Sequence, residues 1–113
     1  GSYLAGLSRG GAQTFHVGFR NPGLFSALGA FSIPLPATFP DSYPGADAST
    51  INNKIGLIFY SCGTEDSDQR PGYERSTATL SQRGIRFEQS LYPGGHIWQV
   101  WRNSLAEFVT RLK

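Results

Sequence analysis

Residues 55–62, Ile-Gly-Leu-Ile-Phe-Tyr-Ser-Cys, form an apolar run that lacks the polar alternation of a half-exposed strand. A strand of this kind is apolar on both sides, so helices have to cover both faces of its sheet. The rest of the chain reads accordingly. Tyr3, Leu4 and Ala5 read as the end of a buried strand entering a glycine-rich turn. Ala12, Phe15, His16 and Phe19 then recur at helical spacing, up to the stop signal Asn21-Pro22-Gly23. Residues 24–31 read as a second buried strand. Residues 33–48 hold Pro34, Pro36, Pro40, Pro44 and Gly45, which predicts a long loop.

Pro71 suits the first turn of a helix with Tyr73, Thr77 and Leu80 on one face and Gly84 as its stop. Residues 85–91 alternate as a strand. Trp98, Trp101, Leu105, Phe108, Val109 and Leu112 predict a closing amphipathic helix. Strands thus alternate with helices, with an optional helix between the second and third strands. The expected class is α/β, a mainly parallel sheet with helices on both faces.

Length allows one small domain, which buries roughly two-thirds of its unfolded surface. Ten basic and eight acidic side chains leave a net charge of +2 with no Lys/Arg run to neutralise a row of phosphates, so nucleic acid is not expected as a partner. No apolar stretch approaches the roughly 20 residues that cross a bilayer, so no membrane partner is expected. Cys62 is the only cysteine; it excludes an internal disulfide and a multi-cysteine metal site, and reads as a small buried hydrophobe. No cofactor or metal is expected.

The chemistry centres on Gly6-Leu7-Ser8-Arg9-Gly10. G-x-S-x-G fits a strand-to-helix turn so sharp that the serine takes strained dihedrals and only tiny side chains fit two positions either side. Composition alone yields about 0.2 such patterns in a chain like this one, so the pattern gains weight only from its strand-turn-helix setting. A serine hydroxyl is a weak nucleophile at neutral pH. It needs an imidazole to take its proton and a carboxylate to hold that imidazole in the useful tautomer. Asp66 and His96 each follow a predicted strand, and groups there gather at the carboxyl edge of an open α/β sheet. The chain order Ser8, Asp66, His96 is that of α/β hydrolases.

Other readings stand beside these. Ser8 also suits a plain helix N-cap, Glu65 or Asp68 could replace Asp66, and His16 is the other histidine, on a helix face. Arg9, directly after the nucleophile, would supply one backbone N–H of an oxyanion hole; the second comes from a loop much earlier in such a chain, and only seven residues precede Ser8. Trp98 either packs the last helix or lines an acyl pocket as a substrate-binding residue, and Trp101 reads as core. The proline-rich loop after Ile33 borders the same face and is a candidate substrate rim.

Gly6-Leu7-Ser8-Arg9-Gly10-Gly11, Asn21-Pro22-Gly23-Leu24-Phe25, Gly63-Thr64-Glu65-Asp66-Ser67 and the stretch from Gly94 to Arg102 together resemble the esterase family of α/β hydrolases that includes feruloyl esterases, acetylxylan esterases, esterase D and siderophore esterases. The likeness runs nearly end to end and is most specific at the histidine loop. It implies the C-terminal half of an α/β-hydrolase fold, residues 1–113 being a single partial domain. It implies catalytic roles for Ser8, Asp66 and His96, and an ester substrate, first a feruloyl or acetyl ester of plant cell-wall xylan and next a siderophore or other small ester. It also implies a secreted protein. The competing expectation is a catalytically incomplete fragment. Its elbow strand would be an exposed sheet edge that invites a second copy or a companion N-terminal chain.

Overall fold

The computed structural model describes residues 2–43 and 47–112. Eight elements alternate along the chain: β1 (Tyr3–Leu7), α1 (Arg9–Arg20), β2 (Ala27–Phe31), α2 (Ala48–Lys54), β3 (Leu57–Gly63), α3 (Arg70–Gln82), β4 (Glu88–Tyr92) and α4 (Trp98–Arg111). The strands form one parallel sheet in the order β1-β2-β3-β4. This is the α/β architecture expected from the sequence, with helices on both faces.

The strand pleat sorts the core into two layers. Leu28 and Ala30 of β2 and Ile58, Tyr60 and Cys62 of β3 join Phe15 and Phe19 of α1, Ile51 of α2, and Tyr73 and Leu80 of α3. The intervening Ala27, Phe31 and Phe59 meet Phe108 of α4 on the other face. There α4 lies so close that a Cβ on Gly29 would come within 3.0 Å of the Phe108 ring. Ser61 of β3 and Ser104 of α4 satisfy one another across that layer with a buried 2.7 Å hydroxyl–hydroxyl bond.

Several expectations are corrected. The elbow strand is not buried: β1 is an edge of the described sheet, and Tyr3 is 52% exposed because nothing among the described residues lies outside it. Leu24 belongs to an exposed turn, and the second strand starts at Ala27, where both neighbouring strands supply partners. The loop after Ile33 closes within one residue of its expected end, and the optional helix is present. The Asp47 carboxylate accepts the Thr50 N–H at 3.0 Å and caps α2 from Ala48 onward. Pro44 and Gly45, counted in that loop, lie outside the described residues.

In α4 the stripe pressed on the sheet is Val100, Ser104 and Phe108. Trp98, Leu105 and Val109, expected on the packed face, are exposed. Both sets follow the i, i+4 rule. The helix is apolar around more than one face, and only contact with β2 and β3 selects between the stripes. The outward stripe and β1 enclose an apolar groove of about 200 Å³ between Ala5, Leu7, Phe31, Trp98, Trp101 and Leu105.

Candidate active site

Ser8 sits between β1 and α1 at φ 52°, ψ −123°, a conformation that costs a non-glycine residue about 1–3 kcal/mol and persists only where its surroundings hold it. The turn is held from both sides. The Ser8 N–H donates to the Phe31 carbonyl at 2.8 Å, and its own carbonyl accepts from the Gly11 and Ala12 N–H groups at 2.9 and 3.2 Å. A Cβ on Gly6 would lie 2.2 Å from the Gly10 carbonyl oxygen, so Gly6 has to be glycine. Gly10, for which the same steric reason was expected, is different: a Cβ there meets nothing within 4 Å. The crowding falls on Gly6, over which the chain doubles back, and on Gly11, where a Cβ would lie 2.7 Å from Ile33 and 3.2 Å from the Gly6 carbonyl oxygen. Arg9 opens α1, so its N–H is among those the first turn leaves without an intrahelical acceptor.

Past β3, the Asp66 side chain is almost wholly buried. Its Oδ1 accepts the Gln69 N–H at 3.2 Å at the entry to α3, and its Oδ2 lies 2.7 Å from His96 Nδ1. Glu65 and Asp68, the alternative acids, are both exposed. The carboxylate can only accept, so Nδ1 carries the imidazole proton and Nε2 is left as the acceptor. His96 Nε2 lies 3.1 Å from Ser8 Oγ. Three side chains from loops after β1, β3 and β4 thus form one chain of hydrogen bonds at the carboxyl edge of the sheet, and the tautomer set by Asp66 aims a lone pair at the serine.

The acid and histidine loops are bonded to one another. Thr64 and Glu65 donate their N–H groups to the carbonyls of Tyr92 and Gly94 at 2.8 and 2.9 Å. A Cβ on Gly63 would lie 2.3 Å from the Gly94 carbonyl oxygen and 2.8 Å from that of Gly95. Arg70 steadies the acid loop by donating to the Thr64 carbonyl at 2.7 Å. On the far side of His96, the Trp101 ring meets the imidazole at right angles with centroids 4.9 Å apart.

The remaining candidates lie apart from this arrangement. His16 faces Tyr43, its Nδ1 3.0 Å from the phenol oxygen. Cys62 is buried beneath the sheet's carboxyl edge, and burial pushes its thiol up to about 11, so it stays protonated and unreactive near neutrality. Trp98 is 66% exposed on the rim of the apolar groove, beside rather than within the Ser8–His96–Asp66 chain. The sequence reading did not single out the Gly63–Gly94 contact, although a glycine on each loop was its signal. It also missed Ser32, which holds Trp101 and which no sequence pattern marks.

No family model matches the sequence. Among solved structures, the chain is similar to an S-formylglutathione hydrolase from Staphylococcus aureus, with TM-score 0.73 and 18% identity over 96% of this chain and 49% of that one. A ferulic acid esterase matches with TM-score 0.64 and 26% identity over 98% of this chain and 52% of that one. An enterobactin esterase from Shigella flexneri matches with TM-score 0.68 and 18% identity over 98% and 32%. The chain has the α/β-hydrolase fold of these esterases and spans about half the length, or less, of each.

Proposed function

We propose that the protein is a serine carboxylic ester hydrolase that works through an acyl-enzyme on Ser8. The hydrogen-bond chain Ser8–His96–Asp66, with Ser8 held at positive φ, is the observation that carries this reading. Ser8 Oγ attacks the ester carbonyl as His96 Nε2 takes its proton, and the imidazolium returns that proton to the leaving alcohol. Water then enters by the same route, with His96 as base, to release the carboxylic acid and restore Ser8. Asp66, buried and accepting at both oxygens, stabilises the transient imidazolium and preserves its orientation. The Arg9 N–H supplies one donor to the oxyanion, and a second is assigned to residues outside this chain.

For the substrate we propose a feruloyl or acetyl ester of plant cell-wall xylan, met by a secreted enzyme. The sequence resemblance and the ferulic acid esterase neighbour support it. Trp98, on the rim of the groove beside Leu7, suits contact with an aromatic acyl group. The outer edge of β1, which no strand among the described residues pairs, supports a further proposal, that a second copy or a companion chain pairs there. A monomer that persists on dilution in size-exclusion chromatography with light scattering would remove it.

The direct test is hydrolysis of p-nitrophenyl acetate and methyl ferulate by the 113-residue chain and by the protein as its gene encodes it, each beside Ser8→Ala. Ser8→Ala is expected to lower kcat by about four to six orders of magnitude. Equal rates from wild type and variant in the gene-encoded protein would sink the esterase reading. Activity confined to that protein, and absent from the folded 113-residue chain, would identify the chain as an incomplete piece of the esterase.

A further inference from the structure

We infer that Trp101 and Ser32 are positioning residues for His96, an inference that rests on the reading of His96 as the proton carrier. The two hydrogen bonds of the imidazole, Nδ1 to Asp66 and Nε2 to Ser8, lie at opposite sides of the ring and define a line through it. They resist translation but leave the ring free to rock about that line, and 35% of the His96 side chain faces solvent. A third contact, off the line, is needed to stop the rocking. Trp101 supplies it, with its ring at 88° to the imidazole and the centroids 4.9 Å apart.

Trp101 is itself held at two points. Its ring packs against the layer of Phe31, Phe59 and Phe108, and its indole N–H donates to Ser32 Oγ at 3.1 Å. Ser32 is fully buried and has φ 60°, in the left-handed region that strains a non-glycine residue. Its N–H donates to the Ser61 carbonyl at 2.8 Å, which anchors it to β3. Glycine would take this backbone without strain. A serine here makes physical sense through its hydroxyl, whose partner is the indole. The sequence β3 backbone, Ser32, Trp101, His96 therefore runs from the rigid centre of the sheet to the reacting group.

The test uses the protein as its gene encodes it, with Ser32→Ala, Ser32→Gly and Trp101→Phe. Steady-state hydrolysis of p-nitrophenyl acetate is read together with ¹⁵N NMR of the His96 ring nitrogens. Small displacements of a catalytic group cost up to about 100-fold, so each variant is expected to lower kcat by about 5- to 30-fold, with KM changed by less than about twofold in the Ser32 variants, whose side chain does not line the groove. The His96 signals should broaden or report mixed tautomers. Ser32→Gly that melts higher, with kcat and the His96 spectrum unchanged, would overturn the inference. So would Trp101→Phe that lowers the melting temperature alone. If the wild type hydrolyses no ester, the esterase reading fails by itself, and an unperturbed or perturbed His96 spectrum in the variants still decides against or for the positioning role.

Discussion

The two faces of the sheet are built to different depths. On one, α1, α2 and α3 enclose a cluster of fourteen buried apolar residues among those described; on the other, α4 forms a cluster of four with the sheet, one of them its own Phe108. The candidate site draws on both. Ser8 and Asp66 lead directly into α1 and α3 on the thick face, whereas His96 leads into α4 and leans on Trp101 on the thin one. Ser8 and Asp66 thus inherit the rigidity of a closed core. His96, the proposed proton carrier, is attached to the layer with fewer buried apolar residues, the part of a fold that opens most readily.

The largest expected effect tests the joint between the faces. Asp66→Asn removes the acceptor that fixes the His96 tautomer and should lower kcat by about 10⁴-fold while the melting temperature changes little. A loss of less than about tenfold would mean that the thin face orients His96 without help from the thick one. Next come the two layers themselves. Phe15→Ala, in the thick face, should cost about 3–5 kcal/mol in urea unfolding. Phe108→Ala should cost about 2–3 kcal/mol, because its site lies next to an open groove and can collapse or admit water. Equal losses would erase the contrast between the faces.

A smaller effect is expected from Gly29→Ala. Its new methyl group would press on the Phe108 ring at 3.0 Å and on the Ala5 Cβ at 3.2 Å, a strain of about 1–2 kcal/mol. It would show as a lower urea midpoint, with kcat falling as α4 is lifted. The mildest test is pH. Burial raises the Cys62 thiol from 9.0 to about 11, so the folded state keeps a proton that the unfolded chain gives up first. The associated stability is complete below about pH 9 and is lost as pH rises toward about 11. Tyr60 and Tyr73, also pushed up by burial in the thick face, extend the loss to higher pH. Cys62→Ala should remove the part of the fall in urea midpoint that begins near pH 9 and leave the part that the tyrosines add from about pH 10, and an unchanged slope would remove the thiol from the account.

What the sequence disclosed follows the same division. The thick face was legible: the run at residues 55–62 announced a strand covered on both sides, and Pro71 and Gly84 bracketed α3 to within two residues. The loops that bring Ser8, Asp66 and His96 together were marked by their glycines and by their places after strands. The family resemblance favours Asp66 and leaves Glu65 and Asp68 open, because what separates three carboxylates within four residues is burial, and only Asp66 is buried. The thin face misled. In α4 Trp98, Leu105 and Val109 read together with Phe108 as one apolar face; Phe108 is buried as expected, the other three are exposed, and the stripe that packs contains a serine whose hydroxyl is satisfied by Ser61. Tyr3 and Ala5 look like core until β1 is known to lie at an edge. Ser32 left no trace, since its left-handed backbone and indole partner arise only from tertiary contact.

Gly63 has a consequence for protein engineering. Because the carbonyls of Gly94 and Gly95 occupy the space a side chain at 63 would need, the acid and histidine loops behave as a single cassette. A graft that imports one of them from a different protein of this fold brings in a backbone shaped for a different partner. Loop exchange on this scaffold should therefore move residues 63–66 and 92–96 together, with the Thr64–Tyr92 and Glu65–Gly94 bonds as the register marks to preserve.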